Sequence, residues 1–525
     1  MFTIAMRFVT GRRGRAARAI RFCLVTACLL SGCATLPPLD NRGASQAIEA
    51  PAGSSLRAAI DPLVATHPGL SGIRPLRTSP DAFAARIALI DNASSSLDVQ
   101  YYIWHDDMIG RFMFDALRRA ADRGVRVRLL LDDTNTKGLD GTLAALAAHP
   151  NIEVRLFNPF MQRRHRLIGY LTDFSRLNHR MHNKSLTADG VATIIGGRNV
   201  ADEYFEAGDA TGYIDLDVVA VGSVVGEVSQ SFDAFWRSNS AYPAGLILKP
   251  AGTEDIERVA AFADSAKQQP GADRFTAVVR DSTFAHDLRA RQLSFEWAAA
   301  RVVSDDPAKG LGKTERKQEL LGRLEHALHH RVERELLIAS PYFVPGKRGT
   351  GMLRDLATRG ASVQVLTNGL EASDVMPVYA HYKSYRTDLL KGGVRLFELK
   401  RTASKHREGA AGVSHAALHG KTFAVDGQQI FVGSFNFDPR SANVNTEIGL
   451  LIDSAPLAAG LGGYFHETIP LAAYRLELDA QGHVVWIEAR DGGQAPLRHT
   501  REPGGGFLRG LWVGVLSILP IEWLL

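Results

Sequence analysis

One chemical signature occurs twice in this chain. His182, Lys184, Asp189, Gly196 and Asn199 recur as His419, Lys421, Asp426, Gly433 and Asn436, each pair 237 residues apart. Imidazole, ammonium and amide groups are the set a phosphodiester requires when no metal assists. As a fifth ligand arrives at phosphorus, negative charge spreads over the equatorial oxygens, and lysines with asparagines can stabilise it. Two histidines cover the remaining work: one neutral imidazole attacks phosphorus while the other, protonated, delivers its proton to the departing alkoxide. The phosphohistidine is then resolved when the second histidine deprotonates an incoming hydroxyl. Two copies in register therefore predict a phosphate-handling site built by two halves of one chain. No Cys/His spacing argues for a metal cluster, and no cofactor is expected.

The elements that must position these groups follow from spacing. His419 and Lys421 stand two residues apart, so on an extended strand their side chains share a face. Lys421 to Val425, the Asp426-Gly427 turn and Gln429 to Val432 read as strand, turn and strand. Gly196 and Gly433 would let a ligand approach closely, and Asn199 and Asn436 would donate to it. Asp189 and Asp426 complete the catalytic signature, with turn support as their more direct role. The repetition extends further: Leu97 to Ile103 matches Leu337 to Phe343 at an offset of 240, and Val154-Arg155-Leu156-Phe157 recurs letter for letter at 394–397. Helical stretches at 111–123 and 352–359 each precede a β-rich run. Strands alternating with helices predict an α/β fold, with βαβ units and a largely parallel sheet in each half, covered on both faces.

The ends of the chain bear on compartment. Residues 1–32 carry six arginines and no acidic residue, then an apolar run from Phe22 to Leu30 and the sequence Leu30-Ser31-Gly32-Cys33. That order is expected of a secretory signal, and its ending resembles a bacterial lipoprotein signal in which Cys33 is lipidated. Removing these residues takes the formal charge from +5 to about −1, since six positive charges leave. A general nucleic-acid-binding surface thereby loses its main support. All three cysteines, Cys23, Cys28 and Cys33, lie in this segment, so an exported body could be free of disulfides. Residues 34–56 read as a flexible tether, 57–250 as a first half, 251–310 as a connecting insertion, 311–480 as a second half and 481–506 as a variable linker. The apolar tail at 507–525 is interrupted by Arg509, Pro520 and Glu522. Trp512 and Trp523 would suit shallow insertion at a membrane interface; packing on the core is the alternative.

The paired His-x-Lys-x4-Asp motifs, each followed by Gly-x-x-Asn, resemble those of the phospholipase D superfamily. The surrounding text resembles its bacterial cardiolipin synthase branch, in Tyr101-Tyr102-Ile103-Trp104-His105-Asp106-Asp107, Ser340 to Gly346, Asn436 to Ser441 and Asn445-Thr446-Glu447-Ile448-Gly449. The resemblance implies two α/β/α sandwich halves related by a pseudo-twofold axis, with His182 and His419 facing each other at their interface. It implies an acidic residue beyond each motif that orients its histidine: Glu447 in the second half and Asp215 in the first, with Asp217 the alternative. Ser434 would touch phosphate alongside Lys184, Lys421, Asn199 and Asn436, whereas Gly197 stands at the matching place in the first half. His182 is the implied nucleophile. The implied activity is phosphatidyl transfer through a phosphatidyl-histidine, with phosphatidylglycerol as acceptor and phosphatidylethanolamine as a possible further substrate. Hydrolysis to phosphatidic acid, an exported nuclease and a non-catalytic lipid-binding scaffold are the competing readings. The expected setting is a membrane surface of the bacterial envelope, inner or outer left open by Ala34. Two basic clusters, Arg163-Arg164-His165-Arg166 with Arg176, and Lys400-Arg401 with Lys405, His406 and Arg407, are candidates for receiving an anionic head group. Met376, Tyr379 and Tyr382 read as core packing.

Overall fold

The computed structural model describes residues 36–40, 42–207, 212–314, 324, 328, 331–402, 416–490 and 494–525. The expected signal with Cys33, and Lys405, His406 and Arg407, lie outside the described residues.

Three strands run parallel at the heart of each half: Ser96–Ile103, Arg126–Asn135 and Ile152–Phe157 in the first, and Glu335–Ala339, Ser362–Asn368 and Arg395–Leu399 in the second. The helices between them, Met108–Asp122 and Gly346–Thr358 among them, carry apolar side chains at helical spacing. On the former, Ile109, Met113, Ala116, Leu117 and Ala120 turn one stripe onto the sheet, and Asp107 caps the start by accepting from Gly110 N at 2.9 Å. The expected largely parallel sheet is corrected beyond this centre. Ser185–Ala188, Ala192–Gly196 and Asp217–Gly222 add antiparallel strands, as do Lys421–Val425, Gln429–Gly433 and Ile448–Asp453. The reason lies in the signature itself, since a two-residue Asp-Gly turn can join only antiparallel neighbours.

One pairing fuses the halves. Ser71–Leu76 runs antiparallel to Asp217–Gly222 on one side and meets Glu296–Ser304 on the other, which in turn pairs with Ile448–Asp453. Among the described residues the result is a single sheet of eighteen strands. Glu296–Ser304, inside the span expected to be a connecting insertion, is thus a strand of the second half. The helices Thr253–Ala260, Phe262–Lys267, Ala272–Arg280 and Thr283–Ala290 before it lay Phe262, Phe275 and Phe284 into the core of the first half. The sheet also continues through Val484–Glu488 and Leu497–His499, where composition suggested a linker. A further apolar cluster, including Ile73, Ile195, Val218, Leu337, Ile430 and Ile448, draws from both halves along the junction. Each such aliphatic side chain, fully buried, contributes roughly 1.5–3 kcal/mol.

Residues 42–50, expected as part of a flexible tether, are bound along the first half instead. Arg155 donates to Arg42 O at 2.9 Å, Arg128 to Ser45 O at 3.1 Å and Ser96 Oγ to Ile48 O at 2.9 Å. Ala47 N reaches the Asp233 carboxylate at 3.1 Å. Buried arginines with donors to spare capture the carbonyls of a segment that has no partner strand. Among the described residues, no helix is long and apolar enough to cross a membrane.

Candidate active site

Two short backbone contacts across the halves build the site. Gly212–Ile214 pairs in parallel with Ala416–Leu418, and both His419 N and Gly420 N donate to Ile214 O at 2.8 Å. On the pseudo-symmetric side Met181 bridges to Thr446, and His182 N donates to Thr446 O at 2.9 Å. One residue beyond each contact stands an acid. Asp215 Oδ2 lies 2.6 Å from His419 Nδ1, and Glu447 Oε2 lies 2.8 Å from His182 Nδ1. The expectation that each acid orients the histidine of its own half is therefore corrected: the pairs are crossed, because the strand bearing each acid lies beside the other half's histidine. Asp217 serves elsewhere, taking Arg86 at 2.9 Å and Arg198 at 3.3 Å.

With each carboxylate accepting from Nδ1–H, the Nε2 lone pair of each imidazole is left for chemistry. Lys184 Nζ donates to His182 O at 2.7 Å, and Lys421 Nζ to His419 O. Both lysines and both histidines are buried. Tyr102 meets His182 edge-on at 4.9 Å and underlies Lys184 at 5.5 Å, while Tyr342 underlies Lys421 at 5.9 Å. Tyr204 and Tyr213 enclose His419 at 4.9 and 5.0 Å. Sequence reasoning did not assign these rings to the site. The signal that could have found two of them is the repeat itself, since Tyr102 and Tyr342 stand 240 residues apart at matching strand ends, where parallel sheets receive ligands.

A second missed pair holds the residue before each histidine. Asp132 accepts from Met181 N at 2.8 Å, and Asn368 accepts from Leu418 N at 2.8 Å. Asn199 Oδ1 accepts from Ile103 N at 3.1 Å. Asn199 Nδ2 and Asn436 Oδ1 are buried with no hydrogen-bond partner of good geometry among the described residues. Leaving such groups unsatisfied costs about 1–3 kcal/mol each, as expected of a site shaped for a polar ligand.

Several signature members do not reach that ligand position. Asp189 and Asp426, grouped with the catalytic set, sit in left-handed turn conformations at φ 56° and 53°. Asp189 accepts from Ser94, Ser95 and Ser96 N at 2.8–2.9 Å, and Asp426 from Glu333, Arg334 and Glu335 N at 2.7–3.0 Å. Each ties its hairpin turn to the start of the neighbouring parallel strand. Gly196 and Gly433 make room for a strand, not for a ligand: a Cβ there would lie 2.2 Å from Asp217 Oδ1 and 2.4 Å from Ile448 O. Ser434, expected at phosphate, donates to Glu447 Oε2 and accepts from Ile448 N at 3.0 Å. Gly197 is required where it stands, because Asp215 Oδ1 would be 2.1 Å from a Cβ. In the first half the carboxylate fills the space that the second half gives to a hydroxyl.

The electrostatics break the symmetry. Burial opposes charge on Asp215, yet His419, Lys421 and Arg198 hold its carboxyl well below the usual range. Arg198 also donates to Asp215 O at 3.0 Å. Its counterpart is Phe435, and Glu447 is pushed up to about 7 by burial, partly offset by Lys184, Ser434, Ser441 and Lys309. Burial and the two lysines drive His182 well below the ordinary imidazole value. Burial and Lys421 lower His419 to about 4 against the pull of Asp215. Burial likewise lowers Lys184 to about 7 and Lys421 to about 8. Neutral imidazoles and lysines reluctant to stay charged make a buried site that an arriving anion would stabilise.

The basic clusters are mostly spent on the protein. Arg163 bonds the carboxylates of Asp133 and Asp140, Arg166 donates to Thr136 Oγ1 at 3.0 Å, Arg176 bonds Asp173 at 2.6 Å and Lys400 bonds Glu488 at 3.1 Å. Arg164 and Arg401 remain exposed. Tyr379 and Tyr382 pack round the buried Arg386–Glu398 pair.

A duplicated α/β fold in which each half lends a histidine, a lysine and an asparagine to one buried site defines the phospholipase D class. The family described as "Cardiolipin synthase, PLD-like domain" matches residues 87–236 and 326–469. The chain belongs to this family. It is 46% identical over 474 residues to cardiolipin synthase C of Escherichia coli (strain K12), covering 90% of this chain and 99% of that protein. It is 26% identical over 399 residues to cardiolipin synthase A of Pseudomonas syringae pv. syringae (strain B728a), covering 75% and 68%. The solved phosphatidylserine synthase of Haemophilus influenzae Rd KW20 shares the fold, with a TM-score of 0.51 and 16% identity over 80% of this chain and 92% of that one.

Proposed function

We propose that this protein is a membrane-associated phosphatidyltransferase that makes cardiolipin by way of a phosphatidyl-histidine. The observation that carries the reading is the pair of crossed His–carboxylate contacts with unlike partners. His182, against the more basic Glu447, is the nucleophile: as Nε2 bonds to phosphorus, its Nδ1 proton can lean toward Glu447. His419, against ionised Asp215, is the better holder of a proton: the arriving phosphate anion favours its protonation at Nε2, and it delivers that proton to the departing head-group oxygen as the P–O bond breaks. The hydroxyl of a phosphatidylglycerol acceptor then attacks phosphorus, its proton returns to His419, and the His182 N–P bond breaks. Lys184, Lys421, Asn199 and Asn436 cradle the phosphate oxygens, and the anion's arrival restores full charge to the lysines. A pocket lined mainly by apolar side chains, Val344, Met352, Phe435 and Phe437 among them, adjoins the residues that flank Asn436 in the chain. The high identity to a protein named cardiolipin synthase C supports the transferase assignment. Lipidation at Cys33 after export would hold the body at the envelope membrane.

The test is to incubate the purified protein with labelled phosphatidylglycerol, with and without phosphatidylethanolamine, and to resolve the products. Cardiolipin is expected; phosphatidic acid alone would replace the proposal with hydrolysis. His182→Ala and His419→Ala should each lower turnover by at least roughly 10³-fold. Unchanged turnover in both would overturn the two-histidine mechanism.

A further inference from the structure

Ten of the seventeen large apolar side chains exposed among the described residues lie in two short stretches, 167–174 and 511–523. Leu167 is 81% exposed, Leu171 87%, Trp512 64% and Ile518 79%. The stretches come from different halves and meet: the rings of Phe174 and Trp523 lie 6.4 Å apart at 69°. Such apolar gathering on an otherwise well-buried protein marks an interaction face.

This face is anchored to the body of the protein and lies near the paired-histidine site. The helix Phe507–Ser517 buries Val513 in the second half's core, with Leu516 packed beside it. Arg509 donates to Leu370 O at 2.7 Å and Tyr385 to Glu522 at 2.7 Å. Arg440, four residues beyond Asn436, ties down the chain just past each stretch: it donates to Leu524 O at 3.0 Å and to Asn178 O at 2.9 Å. The Arg440 charge is also among those acting on His182. With their backbones fixed inward, the remaining side chains of the two stretches point to solvent.

We infer that stretches 167–174 and 511–523 form one membrane-docking face that seats the opening of the site on a phospholipid bilayer. The inference rests on the proposed function for its substrate, which resides in a bilayer and whose acyl chains resist passage through water with every methylene. The chemistry of the face fits that occupant. Trp512 and Trp523 are amphipathic rings suited to the head-group level. Exposed Arg164, just before the first stretch, and exposed Lys347, whose neighbour Gly346 approaches Glu522, supply cations for anionic head groups.

The experiment uses the full chain with vesicles of phosphatidylglycerol and phosphatidylethanolamine carrying bromine on their acyl chains. Trp fluorescence should be quenched, and a Trp512→Phe, Trp523→Phe variant should lose most of that quenching; contact at these rings is read independently of any tether elsewhere. A second variant, Trp512→Ser with Ile518→Ser, changes only exposed positions. It should raise the apparent KM for vesicle-borne phosphatidylglycerol roughly tenfold, while turnover of a dispersed short-chain phosphatidylglycerol and the melting temperature stay unchanged. Absence of quenching, an unchanged vesicle KM or equal losses on both substrates would overturn the inference. So would a dimer that the serine variant dissociates without altering vesicle kinetics. Quenching without turnover of either lipid would support docking and count against the catalytic reading instead.

Discussion

Arg198 and Phe435 occupy the same place in the two copies of the signature, one of several differences between the surroundings of Asp215 and Glu447. His419, Lys421 and Arg198 together keep Asp215 ionised, whereas burial leaves Glu447 near neutrality, with a value of about 7, against the pull of Lys184 and Lys309. The lysines add a pH dependence whose sign is fixed. Each is cationic below its pKa, so the free enzyme loses phosphate-binding charge as pH rises through about 7 for Lys184 and about 8 for Lys421. We expect kcat/KM toward phospholipid to fall across that window, with no limb at the ordinary histidine value, because burial and the lysines have moved both imidazoles to lower pH. Lys184→Met should lower activity by roughly 10²-fold and remove the Lys184 contribution to the fall while the limb near 8 remains. A pH profile of kcat/KM checks both; a single limb near 6.5 would mean that an unperturbed imidazole governs.

Among the elements, the strand Ser71–Leu76 has most to reconcile, since it faces one partner in each half. Gly72 sits where they converge, and a Cβ there would lie 2.9 Å from Val221 and 3.0 Å from Phe295. Gly72→Val should therefore destabilise the protein by about 1–3 kcal/mol through overpacking, measured as a lowered denaturant midpoint. The helices and central strands were legible because apolar periodicity and an exact textual repeat reported them. The junction was not: nothing in the spelling of 296–304 tells that it bonds to a strand of each half at once. Residues 42–50 misled for a physical reason. Proline and glycine nearby read as a tether, while the donors that capture this stretch, Arg128 and Arg155, lie far along the chain. The crossed acids were hidden likewise, since distance along the sequence cannot say which half's histidine an acid will meet.

For the molecule as a whole, both histidines, both lysines and both acids come from one polypeptide, yet each His–acid pair takes one member from each half. A mixture of His182→Ala and His419→Ala proteins should therefore stay as inactive as either alone, measured as cardiolipin formed; recovery of activity would mean that halves exchange between chains. The site's composition was readable from the repeat, down to the lysines and asparagines proposed to hold the phosphate. Its asymmetry was readable only in outline, through the Gly197 and Ser434 difference, whose meaning required knowing that Asp215 lies against Gly197.

The strand that joins the halves also sets a hazard during synthesis. Ser71–Leu76 gains its first neighbour when Asp217–Gly222 emerges, but its second, Glu296–Ser304, follows 82 residues after Gly222, the distance to Ser304. At ribosomal speed that interval lasts roughly 4–16 s. Throughout it a nascent chain presents an unpaired sheet edge of the kind that templates aggregation. A ribosome stalled within residues 223–295 would release a product with its own core but an open border, so the burden of this duplicated architecture falls on translation and chaperones before any lipid is met.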